Sequence, residues 1–337
     1  MLQGTFFCIV SERLLTNGVR SSAAAVAAAA GGGGPVNLYL GRARPLLNNG
    51  NSCYVNVILQ VLFRMFGRTV VGSLRRDMAG IPVIATVPNM LLATALMQTM
   101  VNIATTTPPG LVHDAFAFVY IAKGELPDFD GSGQHDGVEF FVQTLMKLPN
   151  LAQLFYAETS ESMRCTRCNL VWVRKAEAEF PVHLVITGLD TLHQCLELTK
   201  VSEEVVCTCE ECKHDKATKS QHLSYGTHVP FVLRRFNHTG KKDEHPVNYE
   251  RTILLPSWPD GEIKPYDLTA VVCHLGKMVH GGHFICFVAA ENETCVRLDD
   301  HHAAVQHPVH AMLSQQSAYV IFYSVIVVSV LFLSPRR

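Results

Sequence analysis

The chain has 337 residues, of which 48% are hydrophobic and only 17% charged, and its net charge is −1. It is long enough for one large domain or two, too apolar to be disordered, and too evenly charged to offer a nucleic-acid surface. Eleven cysteines, four of them in two Cys-x-x-Cys pairs, favour metal ligation in a reducing compartment over a small secreted disulfide framework.

Residues 1–10 are apolar but lack the basic start and cleavage site of a signal peptide. Residues 21–35 are rich in Ala and Gly and end in four glycines, which reads as a low-complexity linker. Residues 1–43 are therefore expected to be an extension, with the folded domain starting near Arg44. No repeat of 20–50 residues is present in the sequence.

Leu46-Leu47-Asn48-Asn49-Gly50-Asn51-Ser52 is a polar turn leading into Cys53. From Cys53 to Phe66 the residues suit a helix that is apolar almost all round, hence a core helix. One stripe differs: Cys53, Asn56 and Gln60 share a face. With Asn51 or Ser52 as cap, Cys53 falls in the first turn, where free N–H groups favour an anion. A thiol there is expected to ionise below the free value of about 8.5; position alone is equally compatible with an inert buried thiol.

Arg68 to Tyr120 reads as helices, with an apolar stripe from Pro88 to Ile103 and a short helix over 113–120. Gln134 to Leu145 is helical by pattern, placing Asp136 and Glu139 on one face of a first turn. Cys165-x-x-Cys168 and Cys209-x-x-Cys212 suit a tetrahedral thiolate zinc site, with Cys207 as an alternative ligand. Strand-like segments flank them at 170–173 and 180–186. Tyr266 to Gly276 alternates like a strand, a Gly281-Gly282 turn follows, and His283 to Val288 reads as another strand. Ala318 to Tyr323 is strand-like. The apolar run that follows, counted back to Ala318, gives 17 residues without charge, the lower limit for a membrane helix. Residues 325–337 are read as a buried or β-prone tail, with a tail anchor as the alternative.

Several of these segments resemble the ubiquitin-specific proteases, the papain-like deubiquitinating cysteine peptidases. Leu-x-Asn-x-Gly-Asn-Ser-Cys-Tyr-x-Asn resembles their Cys box, Gln134-His135-Asp136-x-x-Glu139-Phe140 their second box, and Gly282-His283-Phe284 their His box. Val229 to Phe236 and Ala318 to Tyr323 resemble palm strands. The departures are Ser52 for Thr, Gly137 for a larger residue, Phe284 for Tyr, and Cys295 and Leu298 for aromatics.

The resemblance implies an α+β papain-like fold with a helical thumb, a β-sheet palm and zinc-ribbon fingers at about 160–225, within a catalytic domain over 44–324. It implies Cys53 as nucleophile and His283 as base, within hydrogen-bonding reach of each other. Asp299 would orient the imidazole, and Asn48 (or its neighbour Asn49) and Asp300 would serve the oxyanion, the order of the two aspartates being open. Gln134, Asp136 and Glu139 would line the channel for the ubiquitin tail. By their own pattern, His274 and His280 read as structural histidines near His283, and His301 and His302 fit no ligand spacing. Zinc on Cys165, Cys168, Cys209 and Cys212 would be structural, with no cofactor for catalysis. The implied partner is ubiquitin or a ubiquitinated protein, in cytoplasm or nucleus, with a membrane involved only if the tail is an anchor. An inactive ubiquitin-binding relative and a peptidase for another modifier remain open.

Overall fold

The structure, a computed structural model, describes residues 44–65, 68–79, 89–105, 112–129, 133–200, 202–278 and 281–326. The extension, most of the apolar tail, Phe66 and His280 lie outside the described residues.

Helices come first: α1 (Cys53–Arg64), α2 (Arg68–Met78), α3 (Met90–Thr105), α4 (Phe116–Glu125), α5 (Gly137–Lys147) and the short α6 (Pro149–Ala152). Strands follow: β1 (Ala157–Cys165), β2 (Val171–Glu179) and β3 (Val182–Leu184), then helix α7 (Leu192–Leu198), then β4 (Glu203–Val206), β5 (Lys216–Tyr225) and β6 (His228–Leu233). The chain continues with β7 (Thr252–Pro256), β8 (Ile263–Met278), β9 (Gly281–Ala289), β10 (Thr294–Leu298), β11 (Val305–Pro308), helix α8 (His310–Leu313) and β12 (Ala318–Val325).

The larger sheet has the order β11-β10-β9-β8-β12-β6-β3, with β7 added on β8. Strand alternation explains why its central strands carry apolar residues on both faces. Ala270, Val272, Phe284, Cys286, Val288, Val320 and Phe322 join the helical core with α1, α3 and α5. Their neighbours Val271, Cys273, Ile285, Phe287, Ile321 and Tyr323 join a second core on the other face, with Leu192 and Met312. A sheet covered on both sides is rigid enough to hold a site at one of its ends.

Helix α1 is buried from Cys53 to Phe63, as its apolar circumference requires. Leu59 is fully buried, and truncating such a residue to Ala costs about 2–5 kcal/mol. Asp77 of α2 is also fully buried; its carboxylate accepts from Asn150 Nδ2 at 2.7 Å and from the Asn150 and Leu151 N–H groups, tying α2 to α6.

The smaller sheet, β2-β1-β5-β4, is antiparallel and projects the cysteine turns from its end. The thumb, palm and fingers arrangement is that of the papain-like α+β fold. Two local expectations shift. Gly281 and Gly282 already belong to β9 rather than to a turn. The segment at Gln134 turns helical only from Gly137, because Asp136 is extended (ψ 127°) and caps the helix instead of lying in its first turn.

Candidate active site

The loop before α1 is shaped by two consecutive left-handed residues, Gly50 (φ 72°) and Asn51 (φ 57°), conformations that Gly and Asn tolerate best. Ser52 stands at the N-cap, but its side chain does not cap the helix. Its hydroxyl accepts from the Asn49 N–H at 2.9 Å and lies 3.3 Å from Asn48 Oδ1, which also accepts from the Ser52 N–H at 3.0 Å. The polar turn is thus held by its own side chains, and Cys53 opens the helix with uncapped N–H groups around it.

The two asparagines diverge. Asn48 Nδ2 donates to Asp300 Oδ2 at 2.7 Å, whereas Asn49 Nδ2 donates to Asp114 Oδ1 at 2.8 Å, away from that group. Asn56, one turn into α1, donates to Asp300 Oδ1 at 2.8 Å. Gln60, the third member of the polar stripe, donates to the Arg44 carbonyl.

His283 is supplied by β9, which packs on α1. Its Nε2 lies 2.7 Å from Asp299 Oδ1, and its Nδ1 lies 4.0 Å from Asp300 Oδ2. Asp299 Oδ2 accepts from Arg297 Nη2 at 2.7 Å, and the His302 ring stands 3.5 Å from Oδ1. Burial works against the Asp299 charge, but His283, Arg297 and His302 together hold the carboxyl below its usual range.

The thiol itself departs from expectation. Cys53 is 3% exposed, and burial pushes its pKa up, with the Asp300 charge acting the same way. The backbone N–H groups of Phe284, Tyr54 and Cys53 oppose this without overcoming it. Sequence position foretold the helix-end contribution but not the covering by β9. Among the described residues, no hydrogen bond joins Cys53 directly to His283; the thiol faces the backbone of the next residue, Phe284.

The second box sits beside this group. Gln134 Oε1 accepts from the Gly282 N–H at 2.9 Å, one residue before His283. Asp136 Oδ1 caps α5 through the Val138 N–H at 2.6 Å, and its Oδ2 accepts from Tyr319 OH at 2.5 Å. Glu139 is exposed on the same helix end. Gly137 packs against Tyr54 of α1, where a Cβ would find only ordinary contacts. His274 is buried against Phe236, Phe284 and Tyr319, away from any ligand spacing. His301 stacks on His302, whose Nδ1 lies 3.0 Å from the Asp299 carbonyl. Sequence reasoning missed Arg297, Tyr319 and His302 as partners of the site, because each is recruited by tertiary contact and none carries a local pattern.

At the fingers, the four thiols of Cys165, Cys168, Cys209 and Cys212 lie within 4.8 Å of one another, with Cys165–Cys212 at 3.5 Å and Cys168–Cys209 at 3.6 Å. Thiolates around a tetrahedral zinc, with Zn–S near 2.3 Å, are separated by about 3.8 Å, so the set fits that ion. The two knuckles repeat one geometry. Asn169 (φ 61°) donates its N–H to the Cys165 carbonyl, and Lys213 (φ 58°) does so to the Cys209 carbonyl. Backbone N–H groups and the neighbouring thiols bring Cys165 down to about 6, against its desolvation. Cys207 is not a member of the cluster.

A family model described as ubiquitin carboxyl-terminal hydrolase matches residues 44–323. The chain is 32% identical over 152 residues to mouse ubiquitin carboxyl-terminal hydrolase 17-like protein B, covering 42% of this chain and 32% of that one. Over 183 residues it is 28% identical to Arabidopsis thaliana ubiquitin carboxyl-terminal hydrolase 23, covering 51% and 21%. The chain therefore spans about a third or less of the length of these relatives. Among solved structures it resembles the SAGA Ubp8/Sgf11/Sus1/Sgf73 DUB module bound to ubiquitin aldehyde, with a TM-score of 0.67 at 19% identity, over 87% of this chain and 71% of that one. At that identity the likeness speaks for the fold.

Proposed function

The chain belongs to the ubiquitin carboxyl-terminal hydrolase family, and from that premise we propose that it is a thiol-dependent deubiquitinase cleaving the bond after the C-terminal glycine of ubiquitin. Residues 44–324 form its catalytic domain, with fingers at about 160–225 and appendages at 1–43 and 325–337. Cys53 is the nucleophile, His283 the base and Asp299 the residue that orients it. The observation that carries this reading is the single cluster in which the His283–Asp299 pair adjoins the Asp300–Asn48 pair at the start of α1.

His283 uses Nδ1 to take the Cys53 proton, because Nε2 is committed to Asp299. Since burial raises the thiol's pKa, this proton transfer is needed to expose the thiolate. The thiolate attacks the glycine carbonyl, and the oxyanion takes hydrogen bonds from Asn48 Nδ2 and the Cys53 N–H. One such donor is worth about 3–4 kcal/mol. Collapse forms a thioester and expels the lysine amine, which His283 protonates. Water, deprotonated by the same imidazole, then releases ubiquitin and restores the thiol.

Asp136 and Glu139 suit a channel for the cationic ubiquitin tail through charge-assisted hydrogen bonds. When bound, zinc on Cys165, Cys168, Cys209 and Cys212 would pin the two finger ribbons together without touching the chemistry. The cysteine usage suits a reducing compartment such as cytoplasm or nucleus. No helix among the described residues is long and apolar enough to cross a membrane.

The test is labelling by a ubiquitin-based active-site probe alongside cleavage of a ubiquitin–fluorophore conjugate. Wild type should do both and Cys53→Ala neither; activity retained in Cys53→Ala would refute the assignment. A second reading, a ubiquitin-binding relative with little activity, draws on the raised thiol and the missing Cys53–His283 bond. It would show as ubiquitin binding without labelling, and a panel of other modifier probes would expose a different modifier.

A further inference from the structure

Asp299 is gripped from two sides. Its Oδ1 lies 2.7 Å from His283 Nε2, and its Oδ2 accepts from Arg297 Nη2, also at 2.7 Å. Strand geometry explains the meeting: Arg297 is the second-last residue of β10, and extended chain returns side chains to one face every second position. The backbone of Arg297 is fixed between Phe287 of β9 and Val305 of β11. The guanidinium therefore leaves from a defined place and offers a planar donor set matched to a carboxylate.

The other groups facing Asp299 are known. His302 stands 3.5 Å from Oδ1, Asp300 lies 4.0 Å from the opposite nitrogen of His283, and the Cys286 thiol is raised by burial first, with Cys273 and both aspartates adding to it. Arg297 is the one permanent cation among them.

We propose that Arg297 is a positioning residue for the hydrolysis, holding the Asp299 carboxylate with one oxygen on His283 and tempering the negative charge that the imidazole feels. The proposal rests on the roles given above to His283 and Asp299. Without Arg297, Asp299 is free to rotate off the imidazole. While it stays, its uncompensated charge favours the imidazolium and makes His283 a poorer proton donor to the leaving amine.

The test is an NMR titration of the His283 imidazole in the full chain, for wild type, Arg297→Gln and Arg297→Lys, with ubiquitin–fluorophore kinetics alongside. In Arg297→Gln the His283 midpoint should move from its wild-type position, and kcat should fall about tenfold with KM unchanged. Arg297→Lys should restore most of both. An unmoved midpoint, or a kcat loss matched by an equal loss of probe-labelled sites, overturns the proposal by reducing Arg297 to a folding role. If wild type neither cleaves nor labels, the deubiquitinase reading fails separately, and the titration still decides whether Arg297 governs the imidazole.

Discussion

Asp300 Oδ2 accepts a hydrogen bond from Asn48 Nδ2 at 2.7 Å, joining positions 252 residues apart. The same carboxylate takes Asn56 Nδ2 at 2.8 Å, and the Asp300 carbonyl takes the Leu46 N–H at 2.8 Å. Asp300 is 8% exposed and left-handed (φ 47°), which turns the chain directly after Asp299. One residue thus fastens the loop before α1, and α1 itself, to the end of β10.

Asp300→Ala should therefore damage both halves at once. It leaves two amide groups without their acceptor, at about 1–3 kcal/mol each. It also frees Asn48, so kcat/KM should drop by roughly 10²-fold or more. Asn56→Ala removes a contact farther from the thiol and should cost stability with a smaller loss of rate. Urea midpoints and kinetics on the two variants check this; equal kinetic losses would show that Asp300 does not act through Asn48.

Acid should loosen the palm. His228 is buried with Nδ1 2.8 Å from Ser324 Oγ, and burial pushes its imidazole down to about 4. His274 is also pushed down to about 4, by burial first and then by Lys242 and His283. With the folded pKa depressed, the unfolded chain takes up the proton first. The stabilisation is complete above the unfolded value near 6.5 and is lost as pH falls toward 4, by up to about 3 kcal/mol per group. Urea unfolding at pH 7 and pH 4.5 should show this loss, and His228→Gln should flatten it. An equal slope in wild type and variant would remove His228 as its source.

Helix α1 was legible because its apolar residues leave no solvent face, and the stripe of Cys53, Asn56 and Gln60 was legible from spacing. What that stripe meets was not: periodicity carries no information about Asp300, 244 residues beyond Asn56. The start of α5 was misread because Asp136 suits a first turn and an N-cap equally on composition, and only its extended backbone decides. The thiol's proton affinity was misread for a different reason. The helix end is local and visible, while burial by β9 is tertiary and outweighs it. Arg297 was overlooked because it reads as an ordinary polar position on an edge-proximal strand.

The finger cysteines should carry one zinc per chain. Cys209→Ser should lose it and raise hydrogen exchange across β1, β2 and β5, which the knuckles terminate. The palm core, built on the other sheet, should keep its protection. Elemental analysis and exchange mass spectrometry test both parts; wild-type protein purified without metal but with protected finger strands would refute the structural role.

The sharpest steric test is at Gly282. Its N–H donates to Gln134 Oε1, and it precedes His283. A Cβ there would sit 2.5 Å from the Leu275 carbonyl oxygen and 2.6 Å from the His274 ring. Backbone cannot yield at that distance without β9 lifting from β8, and Leu275 is the very residue paired with His283. Gly282→Ala should therefore cost about 1–3 kcal/mol from overpacking and reduce kcat/KM far more than KM alone explains. Gly281, one residue earlier, has open space at its Cβ position. Gly281→Ala should stay within about 0.5 kcal/mol of wild type. Comparing melting and turnover in the pair separates crowding under His283 from general loss of glycine flexibility. Matching losses at both positions would mean that flexibility, not the closeness of β8, is what the glycines supply.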